Sequence, residues 1–332
     1  MNDKILTISV AAYNVESILN STLNSLVVPE ILDDIEVLVV DDGATDGSLK
    51  IAKDFESKYP NTFKAVHKAN GGYGSTVNYS IDNASGKYFK LLDGDDWYDR
   101  DGLIKLINVL KNTDADVIFT QYNYAFESRL KLAIYYDEAI AGRVLPVEKF
   151  NFNAGTPMHA LTYKTKVLRE SNVRLEEHML YTDNTYAAIP FIKVNTILFE
   201  NFSVYNYRLG VEGQSVGRKS IVKHIDESRD ISMNLVKFYR DNVDASMKFN
   251  NYIKVNVAST CVNYVVGILK MPMNKSSLKR LVEFDNQVKI ISEVIYNKMI
   301  DIDRKASRSL KLIRKSNYTL YWFFAFVYRF ID

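Results

Sequence analysis

Residues Gly86 to Tyr98 read GKYFKLLDGDDWY, and the fold is decided there. Tyr88 to Leu92 is an apolar run that leaves a core and stops at three carboxylates, Asp93, Asp95 and Asp96. A buried strand end does not carry bare negative charges, because desolvating even one costs several kcal/mol unless it is paired. A cation is therefore expected beside it. A hard divalent ion holding a diphosphate fits, since Mg²⁺ and Mn²⁺ take one or two carboxylates plus phosphate oxygens.

Working outward, Ile5–Ala12 and Ile35–Val40 are apolar, β-branched runs that end at Tyr13-Asn14 and Asp41-Asp42-Gly43, and both read as buried strands. Ile18, Leu19, Leu23 and Leu26 recur at helical spacing up to Pro29, and Asp46 is placed to cap the next helix. A short strand at Phe63–Val66, a break at Asn70-Gly71-Gly72, a helix over 74–84, a helix over 101–112 and a strand over 116–122 continue the alternation. Near-continuous apolar strands alternating with helices predict a mainly parallel sheet covered on both faces. Ligands of such sheets bind at the carboxyl ends of the strands. Tyr13, Asp41/Asp42 and Asp93/Asp95 all fall there, so one site is expected from all of them.

The pattern loosens from Asp116 to about Tyr207. From about Arg218 it becomes helical, with helices predicted over 252–269 and 278–299 separated at Pro272. Two domains are expected: 1–217, with a nucleotide-binding half 1–125 and an acceptor half 126–217, and a helical 218–332. Cys261 is the only cysteine, which excludes an intramolecular disulfide and a Cys-based zinc site. Net charge of +2 gives no argument for nucleic acid. The N-terminus lacks a signal-peptide pattern, and no run is expected to span a bilayer. Over 301–332, seven Lys/Arg face three Asp beside Tyr318-Thr-Leu-Tyr-Trp-Phe-Phe-Ala-Phe-Val-Tyr-Arg-Phe-Ile331. That is the composition of an interfacial helix on an anionic leaflet, the alternative being a helix packed on the protein's own core. A helical domain of this kind also allows a homodimer.

Val10-Ala-Ala-Tyr-Asn14, Asp41-Asp-Gly-Ala-Thr-Asp-Gly-Ser48, Asn70-Gly-Gly72, Asn78, Ala84-Ser-Gly86 and Leu92-Asp-Gly-Asp-Asp96 resemble, in order and spacing, the inverting family 2 glycosyltransferases of bacterial surface-polysaccharide type. The resemblance covers roughly residues 4–125 and implies the GT-A fold, a mixed and mainly parallel sheet flanked by helices. It implies that Asp42 accepts from uracil N3–H and that Tyr13 lies against the ring, with Ala11, Asn70, Gly71, Gly72 and Gly94 lining the donor pocket. Asp93-Gly94-Asp95 resembles the DXD motif, which implies Asp95 as ligand of Mn²⁺ or Mg²⁺ and Asp93 on the ribose or the metal. Asp96 is left to cap a turn. The general base implied is Asp183, in His178-Met-Leu-Tyr-Thr-Asp-Asn184, with Glu176 and Glu177 as alternatives. His159 is a candidate acceptor contact, against the plainer reading of a structural histidine. Arg208, Gln214, Ser215 and Arg218 lie in a segment that in the family closes over the diphosphate, with Arg218 adding positive charge where UDP leaves.

The implied activity is transfer of one sugar from a UDP-sugar to a glycan or lipid-linked acceptor. It would take place in the cytoplasm, peripheral on the inner face of the bacterial cell membrane, without nucleic acid. Processive synthesis is disfavoured, because a Gln-x-x-Arg-Trp pattern is absent. A sugar nucleotidyltransferase remains an alternative, although Ala11-Ala12-Tyr13-Asn14 lacks the Gly-rich basic first loop such enzymes use. A non-catalytic glycan-binding relative is the third reading.

Overall fold

The computed structural model describes residues 4–127, 129–133, 140–210 and 217–330. They form two compact units: the first takes the chain up to Val147 with Pro157–Met179 and Lys193–Gly210, and the second takes Glu148–Thr156, Leu180–Ile192 and the chain from Gly217 onward. Two segments earlier in the chain, Glu148–Thr156 and Leu180–Ile192, thus pack with the helical part. Side chains distant in sequence hold them there: Phe152 meets Tyr252 edge-on at 4.7 Å, and Thr156 N–H donates to Asn256 Oδ1 at 2.8 Å.

The first unit contains one mixed sheet. Its strands are β1 (Leu6–Ala12), β2 (Ile35–Asp41), β3 (Phe63–His67), β4 (Tyr88–Asp93), β5 (Trp97–Tyr98), β6 (Val117–Phe126), β7 (Arg129–Ala133), β8 (Val144–Pro146), β9 (Leu161–Lys164) and β10 (Thr196–Arg208). The order is β3-β2-β1-β4-β9-β6-β10-β5, with β7 on β6 and β8 on β10. The four strands β3, β2, β1 and β4 are parallel, as their unbroken apolar runs require, while β9 enters antiparallel between β4 and β6. Helices α1 (Glu16–Asn24), α2 (Ser48–Lys58), α3 (Tyr73–Asn83), α4 (Arg100–Asn112) and α5 (Thr165–Glu170) complete the unit. Leu19 and Leu23 of α1 and Leu103, Leu106, Ile107 and Leu110 of α4 bury one helical face each in a single cluster with Ile8, Val10, Val37 and Val39. The Asp46 carboxylate accepts from Ser48 N–H and Glu16 N–H, both at 2.9 Å, so it ties together the starts of α1 and α2.

The second unit is helical: α6 (Asp183–Ala188), α7 (Arg218–Lys223), α8 (Ile225–Asn242), α9 (Asn250–Lys270), α10 (Lys275–Ile291), α11 (Glu293–Lys298), α12 (Lys305–Lys315) and α13 (Tyr321–Tyr328). The helix expected over 278–299 is two, because Ser292 leaves helical geometry and caps α11 through Ile295 N–H. One helix bears on the expectation that no run spans a bilayer. The 21-residue α9 is long and apolar enough to cross a membrane by length and composition, with a mean hydropathy of 1.3. It is, however, 83% buried, and a helix apolar on all sides and covered by neighbours is a core helix.

Candidate active site

The carboxyl ends of β1, β2 and β4 lie side by side, as the sheet order dictates. Ala12 pairs with Asp41 and Ala11 with Asp93, so the residues expected at one site from their strand-end positions are cross-strand neighbours. The turn after β4 presses on β1: a Cβ at Gly94 would sit 2.5 Å from the Ala11 carbonyl oxygen. Tyr13, the first residue past β1, is 53% exposed, so its ring is open to a ligand.

Asp42 is buried and held by four donors. Oδ1 accepts from Gly71 N–H (2.9 Å), Lys68 Nζ (2.9 Å) and Ser75 Oγ (3.3 Å), and Oδ2 accepts from Gly72 N–H (2.7 Å). Asn70 Nδ2 donates to the Asp42 carbonyl at 2.9 Å. Asn70-Gly71-Gly72 is therefore the loop that folds onto Asp42, and Gly72, at φ +80°, then starts α3. A carboxylate has about four lone-pair sites, so Oδ2 keeps one for a ligand N–H. Lys68, which neutralises Asp42, was not singled out from the sequence; nothing local links it to a residue 26 positions earlier.

The acidic turn brings Asp96, which the DXD resemblance left aside, next to Asp93. Asp96 N–H donates to the Asp93 carbonyl at 3.1 Å, closing a turn. Turn closure brings positions i and i+3 together and leaves i+2 at the tip. Hence Asp93 groups with Asp96 and His159, their ligating atoms lying within 4.8 Å of one another, and Asp95 stands outside that group. Asp96 is the more buried and is braced: Oδ2 accepts from Tyr205 Oη at 2.6 Å and Oδ1 from Arg208 N–H at 2.7 Å. Burial, with the neighbouring Asp95 charge, pushes the Asp96 carboxyl up to about 7. Burial also raises Asp95, opposed by the Arg208 cation, whose Nε donates to the Asp95 carbonyl at 2.8 Å while its guanidinium covers the Trp97 ring. The Asp95 carboxylate itself takes no hydrogen bond from another side chain among the described residues. Carboxyls raised by burial, Asp96 further by the Asp95 charge, are the chemistry a divalent cation would relieve, so the residues present fit one.

His159 sits among Tyr122, Tyr205 and Tyr207, stacked on Tyr207 at 4.5 Å and edge-on to Tyr205 at 4.5 Å. Burial, aided by the Lys90 cation, pulls its pKa down to about 3, so the imidazole is neutral. Lys90 is fully buried in β4, where the β4–β9 ladder ends at Phe89–Tyr163. Its Nζ donates to the carbonyls of His159 (2.8 Å) and Leu161 (3.1 Å), replacing ladder bonds there, and burial lowers it to about 7. Lys90 and Tyr205 were missed in the sequence. A lysine inside an apolar strand was the signal available for the first.

Two expected residues belong to the second unit. Asp183 opens α6, partly buried, and burial pushes its carboxyl up to about 6, opposed by its own and the Asn184 backbone N–H. The guanidinium of Arg218 donates to the Lys270 carbonyl at 3.0 and 3.1 Å and to that of Arg329 at 3.3 Å, so here it caps the end of α9. Gln214 and Ser215 lie outside the described residues.

A family model described as Glycosyl transferase family 2 matches residues 7–170, the segment that holds every strand-end residue above. The chain belongs to glycosyl transferase family 2. Among relatives of this family 2 glycosyltransferase, an uncharacterised glycosyltransferase of Mycoplasma pneumoniae is 28% identical over 240 residues, 70% of this chain and 78% of that protein. Glycosyltransferase GlyA of Streptococcus pneumoniae is 27% identical over 63% of this chain, and the poly(ribitol-phosphate) beta-glucosyltransferase of Bacillus spizizenii 26% over 57%. The chain spans only 31% of the length of each of those two. The crystal structure of S. aureus TarS 1–349 in complex with UDP-GlcNAc aligns at TM-score 0.62 and 17% identity, covering 94% of this chain and 92% of that one. The mannosyltransferase PcManGT with GDP-Man and Mn²⁺ aligns at TM-score 0.53 and 14% identity, covering 98% and 87%. At such identities the likeness is one of fold, and that fold is GT-A.

Proposed function

We propose that this family 2 glycosyltransferase is inverting and metal-dependent, and moves one sugar from a UDP-sugar to a glycan or lipid-linked acceptor in bacterial surface-polysaccharide or teichoic-acid assembly. The observation that carries the reading is the acidic turn at the end of β4, where Asp93, Asp95 and Asp96 follow one another at the same sheet edge as Asp42, with only β1 between the two strands. The fold shared with TarS, solved with UDP-GlcNAc, and with PcManGT, solved with GDP-Man and Mn²⁺, and the likeness to the poly(ribitol-phosphate) beta-glucosyltransferase support this reading.

In this reading Tyr13 stacks on the base, and the free Oδ2 lone pair of Asp42 accepts its N3–H. In the proposed assignment Asp95 and Asp93 would hold Mn²⁺ or Mg²⁺, with Asp96 buried behind them and oriented by Tyr205 and Arg208. The bound ion supplies positive charge that offsets charge developing on the diphosphate. Asp183 takes the proton of the acceptor hydroxyl. The hydroxyl oxygen bonds to the anomeric carbon, the bond from that carbon to the diphosphate oxygen breaks, and UDP departs with inverted configuration left behind. Arg218 remains a proposed contact of the leaving diphosphate. That role requires its release from the Lys270 and Arg329 carbonyls.

The test is a panel of UDP-sugars with Mn²⁺ and candidate acceptors, scored by UDP release and by product anomeric configuration. Metal-dependent UDP release with an inverted product is expected. Release of pyrophosphate from UTP and a sugar phosphate, or turnover unaffected by chelator, would overturn the proposal.

A further inference from the structure

Helix α13 leaves an aromatic face uncovered. Tyr321, Ala325 and Tyr328 are buried in the second unit, whereas Trp322, Phe323, Phe326 and Phe330 are exposed, Phe323 by 59%, Phe326 by 53% and Phe330 by 75%. Positions 322 and 326 share one face of the helix, Phe330 just past its end lies 5.2 Å from the Phe326 ring, and Leu320 and Leu312 add exposed apolar surface beside it in sequence. Contiguous exposed apolar surface of this kind marks an interaction site.

The flanking charge identifies the occupant. Helix α12 precedes this face and is amphipathic: Ala306, Ser309, Leu310 and Ile313 face inward, and Lys305, Arg308, Lys311 and Lys315 face out. From Arg304 to Phe330 there is no acidic residue. Arg314 is the cation that faces inward, and it fixes the assembly. It bonds both oxygens of Asp285 on α10 and the Tyr296 carbonyl, while Tyr318 Oη donates to the same carboxylate at 2.6 Å. The aromatic face is thus presented by anchored helices, and the segment that carries it is free of acidic residues from Arg304 to Phe330, Asp303 just before it pairing with Arg308.

We propose that α12 and α13 form a docking face for an anionic lipid bilayer, with Trp322, Phe323, Phe326 and Phe330 entering the headgroup–acyl boundary and Lys305, Lys311, Lys315 and Arg329 pairing with lipid phosphates. Aromatic rings set among lysines suit an interface that is apolar on one side and anionic on the other. A second copy is the poorer occupant. A two-fold contact repeats the same patch on both sides, so it would bring cations against cations with no acid in this segment to meet them. This goes beyond the transferase reading and does not depend on it.

The experiment is vesicle co-sedimentation of the full chain with phosphatidylcholine, with and without phosphatidylglycerol. Binding to the anionic vesicles that weakens with salt is expected. Phe323→Ser with Phe326→Ser, and separately Lys311→Glu with Lys315→Glu, each should weaken it about tenfold or more. These side chains are exposed, so melting curves should match the parent and exclude misfolding. Light scattering without lipid is run on the same samples, together with lipid-free UDP-sugar hydrolysis, which reads the transferase site separately. Unchanged vesicle binding by both variants, absence of binding at low salt, or a lipid-free dimer that the serine variant dissociates would each overturn the proposal.

Discussion

Burial holds Asp183 near 6, and for the proposed general base this sets the pH at which the carboxylate is free to accept a proton. A base works deprotonated, so transfer should fall as pH drops through about 6 and level off above it; a kcat/KM profile against pH reads this directly. Asp183→Asn should lose about 10²–10⁴-fold in transfer while UDP affinity, measured calorimetrically, stays within about twofold. Asp95→Asn and Asp96→Asn separate the roles within the acidic turn. The first should abolish Mn²⁺-dependent thermal stabilisation with little effect on the metal-free melting temperature. The second breaks the brace to Tyr205 and Arg208, so it should lower the metal-free melting temperature as well.

The β4–β9 edge and the β4 turn are the elements on which the site depends. Lys90 completes β9 where the ladder stops, so Lys90→Met leaves two buried carbonyls without donors. A cost of about 2 kcal/mol or more is expected in chemical denaturation, with donor binding weakened because His159 sits on the released segment. Gly94→Ala puts a methyl group against the Ala11 carbonyl, whose backbone cannot yield without moving β1. About 1–3 kcal/mol of stability should go, and UDP binding with it. The strands themselves were readable because both faces are buried and the apolar runs are unbroken. The Ser292 break inside the predicted 278–299 helix was not, since the apolar spacing continues through it.

At the scale of the whole molecule, two units are assembled from interleaved segments, and the second is held by buried polar contacts as well as by α9. Arg314 and Asp285 are almost wholly inaccessible, at 8% and 0% side-chain exposure. Removing one partner leaves an uncompensated buried charge, so Arg314→Leu should cost about 3–5 kcal/mol in the unfolding of the helical unit. A separate low-temperature transition in calorimetry would report it.

The sequence by itself determined the parallel strand block, the row Ala11, Tyr13, Asp42 and Asp93 at its carboxyl edge, and the family. Those follow from period, strand-end position and short motifs, all local properties of the chain. Only the tertiary structure decided that Asp96 rather than Asp95 groups with Asp93 and His159, because turn closure selects partners by geometry and not by motif order. It also decided that Lys68 and Lys90 serve Asp42 and β9, and which face of α13 stays open. Each of those depends on a partner far away in sequence, brought near by sheet order or helix packing, and no spacing rule encodes it.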